Sequence, residues 1–140
     1  MKSLKFRVWD KERECYLDET ELAGITPDGK YILYIEEEEI SKLEIEGGYI
    51  LEQYTGLKDK NGKEIFEGDL VDVIFPTKLR GVEEHRIWMC RFGVKRAGFV
   101  LNRGTNTRIF SLTFGEINAK NLSVEVIGNI HENGYFLEEK

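Results

Sequence analysis

The amino-acid sequence predicts a mainly β fold, a β-dominated α+β architecture with a small barrel element and additional strands from the N-terminal region. Three observations carry that expectation. About eight short apolar stretches alternate with turn signals, and few hold the three-to-four spacing of a buried helix face. The stretch Tyr54–Val73, YTGLKDKNGKEIFEGDLVDV, sets two turn signals between three short strand patterns, which requires a strongly curved sheet. The chain of 140 residues is 41% hydrophobic with only 2 prolines, enough to bury a core without a long linker. We expect a single domain, 1–140, with two lobes: N-terminal strands in 1–53 and a barrel-containing region in 54–133.

The elements follow in order. Leu4, Phe6 and Val8 alternate with charged residues and predict a half-buried strand over 4–9, with a short second strand at Tyr16-Leu17. Pro27-Asp28-Gly29 predicts a turn, since proline presets φ, aspartate bonds locally and glycine supplies the permissive position. Tyr31–Ile35 is β-branched and aromatic, hence a strand, and the acidic run Glu36–Glu39 follows it. Ile40–Ile45 fits either one helical turn or a strand, and Gly47-Gly48 ends it.

Asn61-Gly62 predicts a two-residue hairpin loop with positive φ at both central positions. After Glu67-Gly68-Asp69, Val71, Val73 and Phe75 recur on one strand face. Leu70 and Ile74 are apolar on the other, so this strand should be buried on both sides. Ile87–Phe92, Phe99–Leu101 and the Phe110, Leu112, Phe114 face predict further strands. Residues 115–121 form a connection or a single helical turn, and Val124 and Val126 share a last strand face.

Composition narrows the function classes. No apolar run approaches the ~20 residues that span a bilayer, and MKSLKFRVWD turns charged before a signal-peptide apolar region forms. The expected location is the cytoplasm, with no membrane partner. Cys15 and Cys90 are too few and too far apart for a disulfide scaffold and read as buried or half-buried thiols.

Three segments together resemble the YopX family of phage and prophage proteins. They are Leu4–Asp10 (LKFRVWD), the Tyr54–Val73 stretch with Thr55-Gly56-Leu57, Asp59, Asn61-Gly62 and Glu67-Gly68-Asp69, and Glu125–Ile130 (EVIGNI) followed by Glu132-Asn133. Residues 11–48 and 76–121 match the family pattern weakly, and His131 stands where many members carry tyrosine. The resemblance implies a β-rich fold with an SH3-like barrel element, encoded in phage or integrated phage genomes. It implies no established activity. Gly56, Asn61, Gly62, Gly68, Asp69, Gly128 and Asn129 are the motif residues expected to act structurally.

Gly68-Asp69 reads as a turn whose carboxylate accepts local N–H groups, and the neighbouring acids lack the EF-hand spacing. Lys58–Lys63 fails the phosphate-loop pattern, because Glu64 stands where serine or threonine is needed. His85 and His131 form no zinc half-site with Cys15 or Cys90, and no catalytic signature surrounds Cys90. The expectation is a protein that is not an enzyme, with no catalytic, cofactor-binding or metal-binding residue and no cofactor.

Two binding readings remain. Residues 71–110 are net basic within a chain of net charge −6. Arg86, Arg91, Lys95, Arg96, Arg103 and Arg108, with Lys78, Arg80 and the aromatics Trp88, Phe92 and Phe99, are the candidate nucleic-acid-binding residues. Overall acidity weakens that reading. Glu36–Glu39 could imitate a phosphate backbone toward a DNA-binding protein, although a solvated turn or protected strand edge is simpler. The leading expectation is a phage accessory protein that binds an unknown host or phage protein. Nucleic-acid binding through 78–108 is the alternative.

Overall fold

A computed structural model describes residues 5–18, 22–76, 83–93, 98–103, 110–120 and 122–137. It is mostly β: twelve strands and two short helices occur among the described residues. The chain divides into two compact units, Met1–Gln53 and Tyr54–Lys140. No helix among the described residues is long and apolar enough to cross a membrane.

The first unit begins with β1 (Phe6–Asp10), β2 (Cys15–Tyr16) and β3 (Leu22–Ile25). It continues through β4 (Tyr31–Glu36), β5 (Glu39–Glu44), a 3₁₀ turn (Ile45–Gly47) and the first half of β6 (Tyr49–Lys58). Strand β1 pairs antiparallel with β2 and with residues 49–53 of β6. That register sets Arg7 directly opposite Glu52. The Arg7 Nε donates to Glu52 Oε1 at 2.8 Å, the same oxygen accepts the Tyr16 hydroxyl at 2.8 Å, and the guanidinium lies 4.5 Å from the Tyr16 ring centroid. The buried Glu52 carboxylate is therefore matched by one charge and one hydroxyl, as a buried ion must be. Val8 and Trp9 are buried beside it, and Trp9 meets Tyr16 edge-on at 4.9 Å.

Strands β3, β4 and β5 form a separate antiparallel sheet in that order. Asp28 closes the predicted Pro27-Asp28-Gly29 turn by accepting the Thr26 hydroxyl at 2.6 Å and the Lys30 N–H at 3.1 Å, with Gly29 at φ +72. Residues 39–44 resolve as strand, not helix, because Ile40, Ser41, Lys42, Leu43 and Glu44 each pair across to β4. Cys15 is exposed, against the expectation of burial, since it sits at the end of the two-residue strand β2; Cys90 is buried.

The second unit carries β7 (Glu64–Phe66), β8 (Asp69–Pro76), β9 (Glu83–Gly93), β10 (Gly98–Arg103), β11 (Phe110–Thr113), helix α1 (Phe114–Ala119), β12 (Ser123–Asn129), helix α2 (Ile130–Asn133) and a 3₁₀ turn (Gly134–Leu137). Its five-stranded antiparallel sheet, ordered β11-β10-β9-β8-β12, curls into a half-barrel. Ile65, Val71, Val73, Trp88, Cys90, Leu101, Ile117 and Val124 form the core, with Phe75, Phe99 and Phe114 packed against it. Leu70 and Ile74 are buried too, so β8 is covered on both faces as its sequence predicts.

Two local expectations need correction. The Asn61-Gly62 loop is not a two-residue turn with two positive φ angles. Gly62 N–H bonds Asp59 C=O at 3.0 Å and Asp59 N–H bonds Lys63 C=O at 2.8 Å, a three-residue loop in which Gly62 alone has positive φ, +82. The Asp59 carboxylate accepts the N–H groups of Asn61 and Lys63 and pulls the chain into this longer loop. Phe114 opens α1 rather than ending a strand, because the Thr113 hydroxyl accepts Glu116 N–H at 3.1 Å and caps the turn.

Nothing occupies the space a Cβ would fill at Gly62, so a substitution there meets backbone strain alone. Gly62→Val should cost more than ~1 kcal/mol in thermal or urea unfolding. A melting curve superposing on the parent's would contradict the loop geometry.

Candidate functional site

The hydrogen bonds of the motif residues show what those residues do. Asp59 is 7% exposed. Its Oδ1 accepts Asn61 N–H at 2.9 Å and Lys63 N–H at 2.8 Å, while Oδ2 accepts Val126 N–H at 2.8 Å across 67 positions of sequence. Lys60 N–H adds a bond to Val124 C=O at 3.0 Å, so the hairpin loop covers the outer edge of β12. Burial pushes the Asp59 pKa up, but the backbone N–H groups of Val126, Lys63 and Asn61, helped by the Lys63 ammonium, outweigh it and hold the carboxyl below its usual value.

Asp69, 2% exposed, accepts Phe66 N–H at 2.8 Å and closes the Glu67-Gly68 turn, where Gly68 has φ +83. Gly68 also bonds Cys90 C=O through its N–H and Ile130 N–H through its C=O. Asn129 caps α2 by accepting from His131 and Glu132, and its own N–H donates to Asn133 Oδ1 at 3.2 Å. A Cβ on Gly128 would overlap that Asn133 carboxamide. Gly56, at φ +85, sits where the β6–β7 register shifts. Asn61 reaches Glu125 only at 3.4 Å from an exposed position. These contacts staple turns to strands; none presents an open carboxylate to solvent chemistry.

The basic candidates are only partly described. Arg86 and Arg91 are exposed on β9. They stand five positions apart on a strand whose pairing runs without a register shift, so they point to opposite faces. Trp88, between them in sequence, is a core residue. Arg103 ends β10, with its side chain outside the described residues, as is that of Phe92. Lys78, Arg80, Lys95, Arg96 and Arg108 lie outside the described residues altogether. The structure thus does not gather the two described arginines on one face. Among the described residues no group of three or more His, Cys, Asp or Glu could hold a metal ion.

The most unusual surface lies in the first unit. Strands β4 and β5 join through Glu37-Glu38, with φ +49 and +65, between the paired Glu36 and Glu39. A two-residue loop with both φ positive belongs to Asn-Gly or Asp-Gly, and each left-handed glutamate costs roughly 1–2 kcal/mol. Ile35 and Ile40 face each other across the strands directly before this tip, at 44% and 69% exposure. Both lie on the sheet face that also carries Tyr31 and Leu33, opposite buried Ile32.

Beside the same tip, within the first unit, is a cleft of about 490 Å³. Asp10, Arg13, Tyr34, Glu36, Glu37 and Tyr49 contribute its polar lining. The Tyr34 hydroxyl donates to Glu36 Oε2 at 3.1 Å. Asp10 Oδ1 accepts Glu12 and Arg13 N–H groups. Burial, and then the Asp10 charge, push the Tyr49 phenol above its usual pKa, so it stays a neutral wall. Sequence reasoning saw Glu36–Glu39 but missed this cleft, whose residues come from positions 10 to 49 and meet only through strand pairing. The local signal available was the Ile-Glu₄-Ile string, an acidic turn flanked symmetrically by isoleucines.

A half-barrel with a separate three-stranded sheet, stapled by buried carboxylates, defines a small mostly β protein whose distinctive surface is a hairpin tip. The chain matches the YopX protein family over residues 5–138 and belongs to that family. The crystal structure of protein EF1440 from Enterococcus faecalis is similar at 25% identity and a TM-score of 0.55, covering 96% of this chain and 98% of that one. Protein yopX from Bacillus subtilis is similar in fold at 18% identity and a TM-score of 0.64, covering 94% and 96%. Comparison with curated proteins finds no match.

Two expected outcomes follow from this geometry. Asp59→Ala removes the acceptor of three part-buried N–H groups and should destabilise the chain by about 2–3 kcal/mol in urea unfolding. Because the folded carboxyl has the lower pKa, its contribution is full above the ordinary carboxylate range and vanishes as pH falls through the folded value. Parent and variant should therefore converge in stability on acidification; a gap that widens instead would refute the assignment. Separately, Glu37→Asn with Glu38→Gly relieves two strained positions and should raise the melting temperature by a few degrees, ~1 kcal/mol. An unchanged or lower value would mean the tip is not strained.

Proposed function

We propose that this chain is a non-catalytic binding module that docks a protein partner through the β4–β5 hairpin. The observation that carries the reading is the exposed Ile35–Ile40 pair beside four consecutive glutamates in a strained turn. Exposed large aliphatics paired on a sheet face cost solubility, and left-handed glutamates cost stability; both make sense where a partner covers the tip. Charge complementarity specifies that partner as a protein with a basic rim around an apolar pocket. Buried isoleucines would supply affinity, and the rim would supply steering and orientation.

The resemblance of the three sequence segments extends the reading to a phage- or prophage-encoded accessory protein acting in the host cytoplasm, with the half-barrel as an SH3-like element. The alternative, nucleic-acid binding by the basic block, draws less support, because Arg86 and Arg91 face opposite ways.

A photo-crosslinking residue at position 40 should give one discrete protein adduct in the cells that make this chain, and the same residue at exposed Glu132 should not. Adding Glu36→Gln and Glu39→Gln should deplete the position-40 adduct. Equal adducts from both positions, or a gel shift of DNA or RNA that survives physiological salt, would overturn the reading.

A further inference from the structure

The cleft beside the hairpin tip says what the partner brings to it. We infer that the cleft lined by Tyr34, Tyr49, Asp10, Glu36 and Glu37 receives an arginine side chain from the partner protein, which extends the hairpin-docking reading and rests on it.

Among the described lining residues three carboxylates stand against one guanidinium, that of Arg13. Arg13 does not fill the space: its side chain is 78% exposed and its Nε stays 3.9 Å from Asp10 Oδ2. The cleft therefore keeps an acidic excess that no described residue of its own neutralises. Its volume, about 490 Å³, exceeds what one long side chain needs and leaves room for the chain that carries it.

The walls then choose between cations. Two tyrosines line the cleft, and Leu17, Leu22 and Leu43 form its apolar lining. A guanidinium is planar, weakly hydrated and able to lie against aromatic rings while its N–H groups reach carboxylates; an ammonium is a compact, strongly hydrated point charge. The arginine methylenes would cover the leucines. The receptor is also partly organised beforehand, because the Tyr34 hydroxyl already holds Glu36 and the positive-φ turn fixes where Glu37 begins. Ile35 borders the cleft at the hairpin tip, whereas Tyr34, Glu36 and Leu43 line it from the sheet face opposite the Ile35–Ile40 pair, so the cleft and the aliphatic pair share the tip and not a face.

The test uses the full chain and two neutral-backbone probes, N-acetyl-arginine methylamide and its citrulline analogue, followed by amide NMR. The arginine probe should move the Arg13, Tyr34, Glu37 and Tyr49 resonances with a Kd on the order of millimolar. The citrulline probe has the same shape without the charge and should move them at least roughly tenfold less. Glu36→Gln with Glu37→Gln should weaken the arginine probe by roughly three- to tenfold. No movement at 20-fold the millimolar range, on the order of 20 mM probe, or equal binding of citrulline, would overturn the inference. Because both arms use the unaltered chain, misfolding of a variant cannot excuse failure. The probes do not need the Ile35–Ile40 face, so their failure beside a position-40 adduct removes the arginine site and leaves hairpin docking standing. Loss of the adduct with retained probe binding removes the docking reading instead.

Discussion

One buried carboxylate holds the second unit's most distant parts together. Asp59 takes two N–H groups from its own hairpin loop and one from Val126 on β12. A neutral side chain could satisfy part of this set, but an ionised carboxylate offers enough lone pairs for all three donors and makes each bond charge-assisted. The consequences are both local and remote. The loop lengthens to three residues, Gly62 takes the left-handed position, and an edge strand that would otherwise display open N–H and C=O groups is covered. The curled sheet ends where it does because this loop closes its β12 side.

The same logic recurs at smaller scale. Asp69 and Gly68 tie the next turn to Cys90 and Ile130, and the Gly128–Asn133 contact seats the short final helix. The residues that make the family recognisable are thus largely spent on fixing the backbone. Their polar atoms face inward or along the chain. Function has to be sought where the structure tolerates cost without an internal reward, and the β4–β5 tip is such a place: two left-handed glutamates, and isoleucines left in water.

Much of the frame was legible because it depends on short-range patterns. Period-two alternation placed β8 and showed that Leu70 and Ile74 fill its second face. Turn chemistry placed the bends at Gly29, Gly62 and Gly68. The loop type at Asn61-Gly62 was misread because it is set by the Asp59 side chain, and the partner that anchors Asp59 lies 67 residues away. Thr113-x-x-Glu116 and Asn129-x-x-Glu132 carried capping signals that would have announced both helices. The Glu37-Glu38 turn runs against local preference, so propensity could not reveal it; the Ile35–Ile40 and Glu36–Glu39 pairings impose it. The cleft was invisible for a different reason, since Asp10, Tyr34 and Tyr49 have no sequence spacing in common and are assembled by strand register alone.

Burial and hydrogen bonding pull the Asp59 carboxyl in opposite directions, so its titration decides which dominates. Carbon-detected NMR of the side-chain carboxyl in the folded chain reads it directly. The account predicts a midpoint below the ordinary aspartate value of about 3.9, with the Val126 amide shifting in step. A midpoint at or above that value would show burial prevailing over the three donors, and Asp59 would then not be the group that holds loop and strand together.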